Sequence, residues 1–362
     1  MVDLQTNTSV LFSNDPAVRE VRWLGMGNQV IWLKDVKFGA TEVWIGDADD
    51  AGKNINTLKM LSLPVSSHCA GRFEAKATHL KLQKLYNEYK DIAIAVSCPA
   101  TSNGNPYNPQ KSSSAGSIGG EVSNAIWYTT LRRKAMRNST VDTKYIVSPT
   151  KFNNALRGTG LESPLRSPFG TSIDFDISTS GIVFLAKGTA PDPPTSNVYY
   201  IPLQTFTEVS RPRPQIIRVK GFKGRSSNPV FSPNGNSVAF LKKQGSSDPS
   251  DRNRVIVINN IRDFRAHMSI NDMPTQQSEE EWHLSPYSVA WSENGQELYV
   301  VAVEVGIRKL YKISAALSSI RQPPQPITSE STTPADIRHL RMVFSTPMDP
   351  VDIPSARYSV SH

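Results

Sequence analysis

Short apolar runs separated by polar turns recur along this chain. Residues 229–240 place Asn234 and Gly235 between two apolar runs, and residues 288–300 align with them without a gap. An Asn-Gly pair between apolar runs is a strong short-range signal of a β-hairpin, because both residues tolerate the positive φ of a tight turn. The pattern therefore predicts antiparallel hairpins as the repeating unit.

Two less regular copies extend the repeat. Residues 174–184 form a shorter copy and residues 21–32 a divergent one. The turn glycines Gly181, Gly235 and Gly295 are 54 and 60 positions apart, and a four-stranded propeller blade takes about 40–50 residues. The spacing fits blades with some longer loops, and we expect the three glycines to occupy equivalent hairpin tips.

Further apolar runs follow each hairpin and complete a four-stranded unit. A weaker unit is expected within residues 80–156. A β-sandwich is the alternative. One hairpin alone would fit either fold, but four copies that each carry a matching third run favour the propeller. The third runs are residues 42–45, 198–201, 254–258 and 309–313, the fourth runs are 214–219 and 325–330, and the weaker unit has candidate strands at 91–96 and 125–129.

The repeats predict an all-β fold, an incomplete β-propeller of four-stranded blades, and the hairpins resemble the TolB-type propeller repeat. About four to five blades are readable over residues 1–340, and residues 341–362 are predicted to form a divergent tail without a blade pattern. Propellers remove free strand edges by closing into a ring. We therefore expect an unclosed array to aggregate or unfold readily.

The basic charge does not by itself indicate a nucleic-acid partner. The formal net charge is +8, and the densest basic cluster is Arg132, Arg133, Lys134 and Arg137. No platform of interleaved aromatic and basic residues accompanies it, as single-stranded nucleic acids would require. No apolar run reaches the roughly 18 residues of a membrane span. We expect neither nucleic acid nor membrane as a partner.

The two cysteines, Cys69 and Cys98, are too few for a disulfide framework. A single bridge between them is one interpretation, and two separate buried thiols is the favoured one. The six histidines show no zinc-binding spacing and fall in predicted loops. No metal and no cofactor is expected.

A serine nucleophile in an α/β-hydrolase needs a Gly-x-Ser-x-Gly turn, which forces the hydroxyl into an exposed position. The segment around Ser172, residues 170–174, lacks the second glycine and stands at a blade start. Residues 224–228 fail in the same way and are interpreted as an inter-blade loop. We assign no catalytic residue, and we expect the chain alone to have no serine-hydrolase activity.

Several longer segments, taken in order, resemble the N-terminal propeller of fungal dipeptidyl-peptidase V, in the prolyl oligopeptidase family of serine peptidases. The resemblance covers roughly residues 10–340. These segments are residues 41–49, 124–128, 161–164, 169–178 and 230–241.

The resemblance implies a propeller that caps a C-terminal α/β-hydrolase domain with a Ser–Asp–His triad and limits access to peptides. No hydrolase pattern is present here, and peptide substrates would be met through that missing domain. The sequence departs from the family near residues 10–12, at 112–123 and after Leu340. We interpret these departures as truncation or a gene-model error. Secretion is implied by the resemblance, although residues 1–12 show no signal peptide.

Three functions follow from these patterns. The favoured one is a non-catalytic, substrate-gating propeller of a serine exopeptidase; the alternatives are a stand-alone scaffold for protein partners and a bacterial-type periplasmic binding propeller. The acidic run Glu279-Glu280-Glu281 could hold a substrate's free amine, as propeller carboxylates do in dipeptidyl peptidases. A solvated acidic loop is the favoured interpretation of that run.

Overall fold

The computed structural model of the chain is almost entirely β-structure. In the described residues it has 23 strands and one short 3₁₀ turn at Lys37–Gly39. No helix in this part of the chain is long and apolar enough to cross a membrane. The described residues are 2–3, 8–9, 13, 15–24, 29–47, 68–88, 91–108, 122–135, 143–147, 152–166, 174–187, 195–245, 251–263, 267–269, 284–315 and 324–327.

The strands follow one another in short antiparallel steps. They are β1 Val2–Asp3, β2 Thr8–Ser9, β3 Val18–Trp23, β4 Gln29–Asp35, β5 Thr41–Asp47, β6 His68–Phe73, β7 Thr78–Lys84, β8 Ile92–Ala100, β9 Ser123–Ala135, β10 Thr143–Val147, β11 Asn153–Asn154, β12 Phe175–Ser178, β13 Gly181–Lys187, β14 Ser196–Pro202, β15 Gln215–Ile216, β16 Ser226–Phe231, β17 Val238–Lys243, β18 Asn253–Ile258, β19 His267–Ser269, β20 Pro286–Trp291, β21 Glu297–Glu304, β22 Ile307–Ser314 and β23 Gln325–Pro326.

Five larger sheets succeed one another along the chain. Sheet 1 contains β3–β6, sheet 3 contains β12–β15, sheet 4 contains β16–β19 and sheet 5 contains β20–β23, each with its strands in sequence order. Sheet 2 has the order β7-β8-β9-β10, and the short β11 also pairs with β9. The weaker unit expected in residues 80–156 is therefore a sheet of the same kind, and its candidate strands lie in β8 and β9.

A separate apolar core joins each pair of consecutive sheets. Apolar residues on both faces of a sheet serve two cores, which explains why the central strands β13 and β17 are buried almost without interruption. Representative members are Ile31, Val43, Ile94 and Trp127 between sheets 1 and 2, Tyr128, Phe184 and Phe206 between sheets 2 and 3, Val183, Tyr200 and Phe240 between sheets 3 and 4, and Leu241, Val257, Trp291 and Val300 between sheets 4 and 5.

The described strands do not close into a ring. No strand pairing joins sheet 1 to sheet 5 in the described part of the chain. Radially repeated four-stranded antiparallel sheets define a propeller, so the fold is an incomplete β-propeller, and the predicted fold class is confirmed. The boundary between residues 1–340 and 341–362 stays a prediction, because residues 328–362 lie outside the described ranges.

The Asn-Gly hairpins of sheets 4 and 5 are built identically. Gly235 has φ of 71° and Gly295 has φ of 68°. In the first turn Asn236 N donates to Asn234 Oδ1 at 3.0 Å, and Ser232 Oγ lies 2.7 Å from the same oxygen. The second turn repeats both distances around Asn294. These two glycines occupy equivalent hairpin tips, as predicted.

Gly181 does not share that position. It pairs with Ser178 as the first residue of β13, so the loop between them holds only two residues. Its φ is 139°, and a Cβ at this position would collide with the carbonyl oxygen of Ile201 on the next strand. The expectation of three equivalent tips is therefore wrong for Gly181, because the shorter turn moves the glycine into the sheet.

Candidate functional site along the first strands

The first strand of each sheet forms the inner edge of the array. β3, β7, β12, β16 and β20 contact their neighbours in that order. In the described part of the chain each first strand pairs with one other strand, so half of its backbone N–H and C=O groups face away from its own sheet. Such groups need other hydrogen-bond partners when they are removed from water.

Bulges interrupt four of these five first strands at matching places, and the pairing of β12 with β13 has no register shift. Register shifts occur between Arg19 and Arg22, Thr78 and Lys81, Ser227 and Val230, and Pro286 and Ser288. A bulge leaves a residue unpaired and re-aims its side chain. We name one residue from each bulge, together, the bulge row: Glu20, His79, Asn228 and Tyr287. The first three have φ of 53°, 58° and 51°.

Side chains of one sheet satisfy the backbone of the next. The Glu20 carboxylate accepts hydrogen bonds from His79 N at 2.9 Å and Leu80 N at 2.6 Å. The Asn228 amide donates to the carbonyl of Tyr287 at 2.5 Å. These contacts link bulge to bulge between sheets 1 and 2 and between sheets 4 and 5.

Sheets 3 and 4 are joined by a related contact. Asp176 on β12 accepts a hydrogen bond from Phe231 N at 2.9 Å, and its other oxygen lies 3.3 Å from Lys81 Nζ on sheet 2. A single carboxylate therefore contacts the sheets on both sides of its own. The polar groups along the inner edge serve mainly to hold successive sheets in register.

An ion pair supports the first of these links. Arg19 Nη2 lies 2.5 Å from Asp35 Oδ1 and also donates to the carbonyl of Ala77 at 2.5 Å. The hydrogen bond from Arg19 holds the pKa of Asp35 below its usual range. The Arg19 and Asp35 charges beside Glu20 are thus paired with each other, and Arg19 also binds the backbone.

His79 is a half-buried strand residue, which corrects the prediction that the histidines lie in loops. His68 and His267 also lie in strands. His79 Nδ1 is 2.9 Å from Thr78 Oγ1, and its ring lies edge-on to Phe175 of sheet 3 at 6.3 Å. Burial lowers the pKa of His79, so a neutral imidazole is favoured near neutral pH.

This imidazole lacks the orienting carboxylate of a catalytic triad. A general-base histidine is held by a carboxylate on one nitrogen and faces the nucleophile with the other. In the described part of the chain no carboxylate hydrogen-bonds to the His79 ring, and Glu20 reaches only its backbone N–H. The arrangement therefore supports packing between sheets better than acyl transfer.

Lys242 is a second group that the sequence did not single out. It is 2% exposed, and its Nζ donates to Gly224 O and Ser226 Oγ, each at 3.0 Å. Asn197 Oδ1 of sheet 3 lies 3.4 Å away, and no carboxylate pairs with Lys242 among the described residues. Burial lowers the pKa of Lys242 to about 8.

Ser226, one of the Lys242 partners, lies in residues 224–228, a segment that lacks the second glycine of a nucleophile turn. Serine–lysine pairs occur in hydrolases, but Ser226 is only 1% exposed. Its backbone carbonyl also accepts a hydrogen bond from Ser196 Oγ at 2.7 Å. A substrate carbonyl has no access to the Ser226 hydroxyl, so the pair joins sheet 3 to sheet 4.

The other sequence-derived candidates are placed as follows. Ser172 and the acidic run Glu279–Glu281 lie outside the described residues. In the basic cluster, Arg132 pairs with the buried Asp91 at 3.2 Å. Cys69 is exposed and Cys98 buried, and both are free thiols. Among the described residues, no three His, Cys, Asp or Glu side chains are arranged to hold a metal ion.

The bulge row was missed although one signal for it exists. Counting back seven positions from a glycine of each turn segment reaches a polar residue in every copy. Two of these four residues, Glu20 and Asn228, belong to the bulge row. The four residues are Glu20, Asp174, Asn228 and Ser288.

Sequence comparison confirms the expected resemblance. The chain is 28% identical to dipeptidyl-peptidase 5 from Trichophyton schoenleinii over 347 residues, which cover 87% of this chain and 42% of that protein. It is 27% identical to dipeptidyl-peptidase 5 from Aspergillus fumigatus over 344 residues, covering 87% and 43%. The chain thus spans less than half the length of these relatives. No family model matches it.

Solved structures similar to this chain include a β-propeller domain. The β-propeller domain of the Trilobed protease from Pyrococcus furiosus matches with a TM-score of 0.45 and 11% identity, covering 86% of this chain and 69% of that one. TolB from Acinetobacter baumannii matches with a TM-score of 0.38 and 12% identity, covering 87% and 55%.

Proposed function

We propose that this chain serves as the non-catalytic propeller of a serine exopeptidase similar to dipeptidyl-peptidase 5, and that it gates access of peptides to a hydrolase domain. The proposal is carried by one observation: the sequence similarity to dipeptidyl-peptidase 5 extends over 87% of this chain. The peptidase relation is supported by that match. The gating role is the further step that needs a test.

The inner edge supplies a physical basis for gating. Links from Glu20 to His79, from Asp176 to Phe231 and from Asn228 to Tyr287 tie neighbouring sheets together. Sheets joined by such contacts and by apolar cores resist sliding past one another. A rigid array of this kind would select substrates by size, since an extended peptide passes where a folded protein does not.

A chimera tests this function. Residues 1–340 replace the matching segment of the Trichophyton schoenleinii relative, and the product is assayed on a chromogenic dipeptide amide. The same dipeptide sequence at the N-terminus of a folded protein serves as the second substrate. We expect cleavage of the amide and protection of the folded substrate. Labelling by a fluorophosphonate shows that the hydrolase part of the chimera is folded.

The control is the relative without any propeller segment. Equal rates of cleavage of the folded substrate by the chimera and by this control would contradict the gating role. With the hydrolase shown to be folded, that result would favour the alternative function, a scaffold for protein partners.

A further inference from the structure

Positive charge is concentrated in one continuous part of the chain. Residues 209–247 contain eight Lys and Arg residues and no Asp or Glu, while the whole chain has a formal net charge of +8. The segment includes the connection from β15, the outermost strand of sheet 3, to β16, the innermost strand of sheet 4. It therefore crosses the array from its outer to its inner edge.

Burial along this connection sorts its residues into two sides. Ile217, Val219 and Phe222 pack into the core between sheets 3 and 4. Arg218, Lys220 and Lys223 are exposed, as is Arg213 before β15. Residues 217–220 alternate between buried and exposed, as is typical of extended backbone, and a turn closed by the hydrogen bond from Phe222 N to the Val219 carbonyl separates them from Lys223. We name the exposed set Arg213, Arg218, Lys220 and Lys223 the basic connection.

The cations of the basic connection have no counter-ions within the described ranges, where none of the four forms an ion pair. The corresponding connection from sheet 1 to sheet 2 differs, because Arg72 lies 3.3 Å from Glu74 and 3.7 Å from Glu42. In the connection from sheet 2 to sheet 3, Arg166 pairs with Glu162 at 2.8 Å. The four cations of the basic connection are thus unpaired within the described ranges, whereas Arg72 and Arg166 of the other two connections are paired with carboxylates.

We propose that the basic connection binds extended, acidic peptide segments. Arg218 and Lys220 are two residues apart, which corresponds to about 7 Å in extended backbone. Carboxylates at alternate positions of an extended peptide have the same separation, and Arg binds a carboxylate through two parallel hydrogen bonds. The proposal rests on the proposed function, because it assigns a charge preference to the peptides that the propeller would admit.

Two observations favour a peptide over other polyanions. The aromatic residue of the connection, Phe222, is buried and offers no surface on which bases could stack. The connection also leads to the inner edge, because residues 223–225 pair with Lys243 and Gln244 and Asn228 of the bulge row follows shortly after. A charged surface raises the local concentration and association rate of an oppositely charged ligand.

The test measures binding to the full chain without any hydrolysis. A fluorescein-labelled peptide of alternating Glu and Ser is titrated with the chain, and a peptide of alternating Gln and Ser is the matched ligand. Fluorescence anisotropy gives the dissociation constant at several salt concentrations. We expect binding of the Glu peptide, weakening with salt as screening increases, and no comparable binding of the Gln peptide.

Charge reversal locates the site. The double variant Arg218→Glu/Lys220→Glu should bind the Glu peptide at least about tenfold more weakly, as expected when two favourable charge contacts become repulsive. The control variant Lys37→Glu/Lys76→Glu changes two exposed lysines of the sheet 1 region and carries the same net charge. Its affinity for the Glu peptide should fall by less than about twofold, because net charge alone acts only weakly over screened distances.

Three results would overturn the proposal: equal losses in both double variants, equal affinity for the Glu and Gln peptides, or tighter binding of an oligothymidylate of the same charge. Circular dichroism of each variant shows that the β-structure is intact. The binding test involves no hydrolase. If the chain does not bind the Glu peptide but the chimera still selects substrates by size, only the charge preference is refuted. A failure of the chimera alone would leave the peptide-binding surface standing.

Discussion

A buried ammonium group should make the stability of this fold rise with pH in the alkaline range. Lys242 is 2% exposed and donates hydrogen bonds to Gly224 and Ser226 without a carboxylate partner among the described residues. The perturbation is Lys242→Met, which keeps a long, flexible side chain but removes the charge.

The magnitude follows from the pKa. Burial lowers the pKa of Lys242 from 10.5 to about 8, and each pKa unit corresponds to about 1.4 kcal/mol. Holding the ammonium in the folded chain at neutral pH therefore costs about 3 kcal/mol relative to the unfolded chain.

The sign is fixed by proton binding. The unfolded lysine titrates near 10.5 and the folded one near 8, so the unfolded chain binds more protons between these values. The destabilisation is complete below about pH 8 and is relieved as the pH rises towards 10.5. Between pH 7 and pH 9 the free energy of unfolding of the unmodified chain should gain about 1.3 kcal/mol from this residue.

The pH dependence is more informative than the stability at one pH. Lys242→Met removes the buried charge but leaves the Gly224 carbonyl and the Ser226 hydroxyl without this donor, at about 1–3 kcal/mol for each unsatisfied group. These opposing effects make the net change at pH 7 small. The gain between pH 7 and pH 9, by contrast, should disappear in the variant.

Urea unfolding followed by tryptophan fluorescence at pH 7, 8 and 9 measures this gain. Lys243→Met, a change at the neighbouring half-exposed lysine, should keep it. Higher pH is avoided because burial raises the pKa of Tyr311 to about 12, so stability falls once unfolded tyrosines ionise near pH 10. A gain of the same size in Lys242→Met, or none in the unmodified chain, would refute the reasoning.

Three further predictions concern the links between sheets, the turns and activity. Glu20→Ala should lower the free energy of unfolding in urea by about 2–3 kcal/mol, since two backbone donors lose a charged acceptor, while the exposed control Glu88→Ala should change it by less than about 0.5 kcal/mol; equal effects would contradict the bulge-row link. Gly181→Ala should lower the melting temperature well below that of Gly295→Ala, because the added Cβ meets the backbone of Ile201 rather than a side-chain atom; similar melting temperatures would be inconsistent with this packing. The chain alone should not turn over chromogenic dipeptide amides or react with a fluorophosphonate, and turnover abolished by Ser172→Ala would show the prediction to be wrong.

The hairpin framework could be predicted because its determinants are local. Asn234-Gly235 and Asn294-Gly295 specify turns closed by hydrogen bonds within a few residues. Alternating apolar residues then place the following strands. Gly181 was not predicted correctly because its loop has two residues between paired strand residues, whereas the Asn-Gly loops have six. The shorter loop shifts the glycine from the turn into the sheet, where it pairs with Pro202 of the neighbouring strand.

The bulge row could not be predicted in the same way. The bond from Glu20 joins residues 59 and 60 positions apart, and the bulged residues Glu20, His79, Asn228 and Tyr287 share no residue type. Their common property is a position in space at the inner edge. Burial of Lys242 was equally hidden, because a lysine beside a second lysine at a strand end is ordinarily exposed.

The separate cores between consecutive sheets have a consequence for how the chain is made. Sheet 2 completes the first core with residues that end at Leu131 on β9, Phe152 packs against it, and nothing from sheets 4 and 5 contributes to that core. A nascent chain leaving the ribosome can therefore bury each sheet against its predecessor as it emerges. Vectorial assembly of this kind leaves just the most recently synthesised sheet exposed, which limits the time available for pairing with other nascent chains.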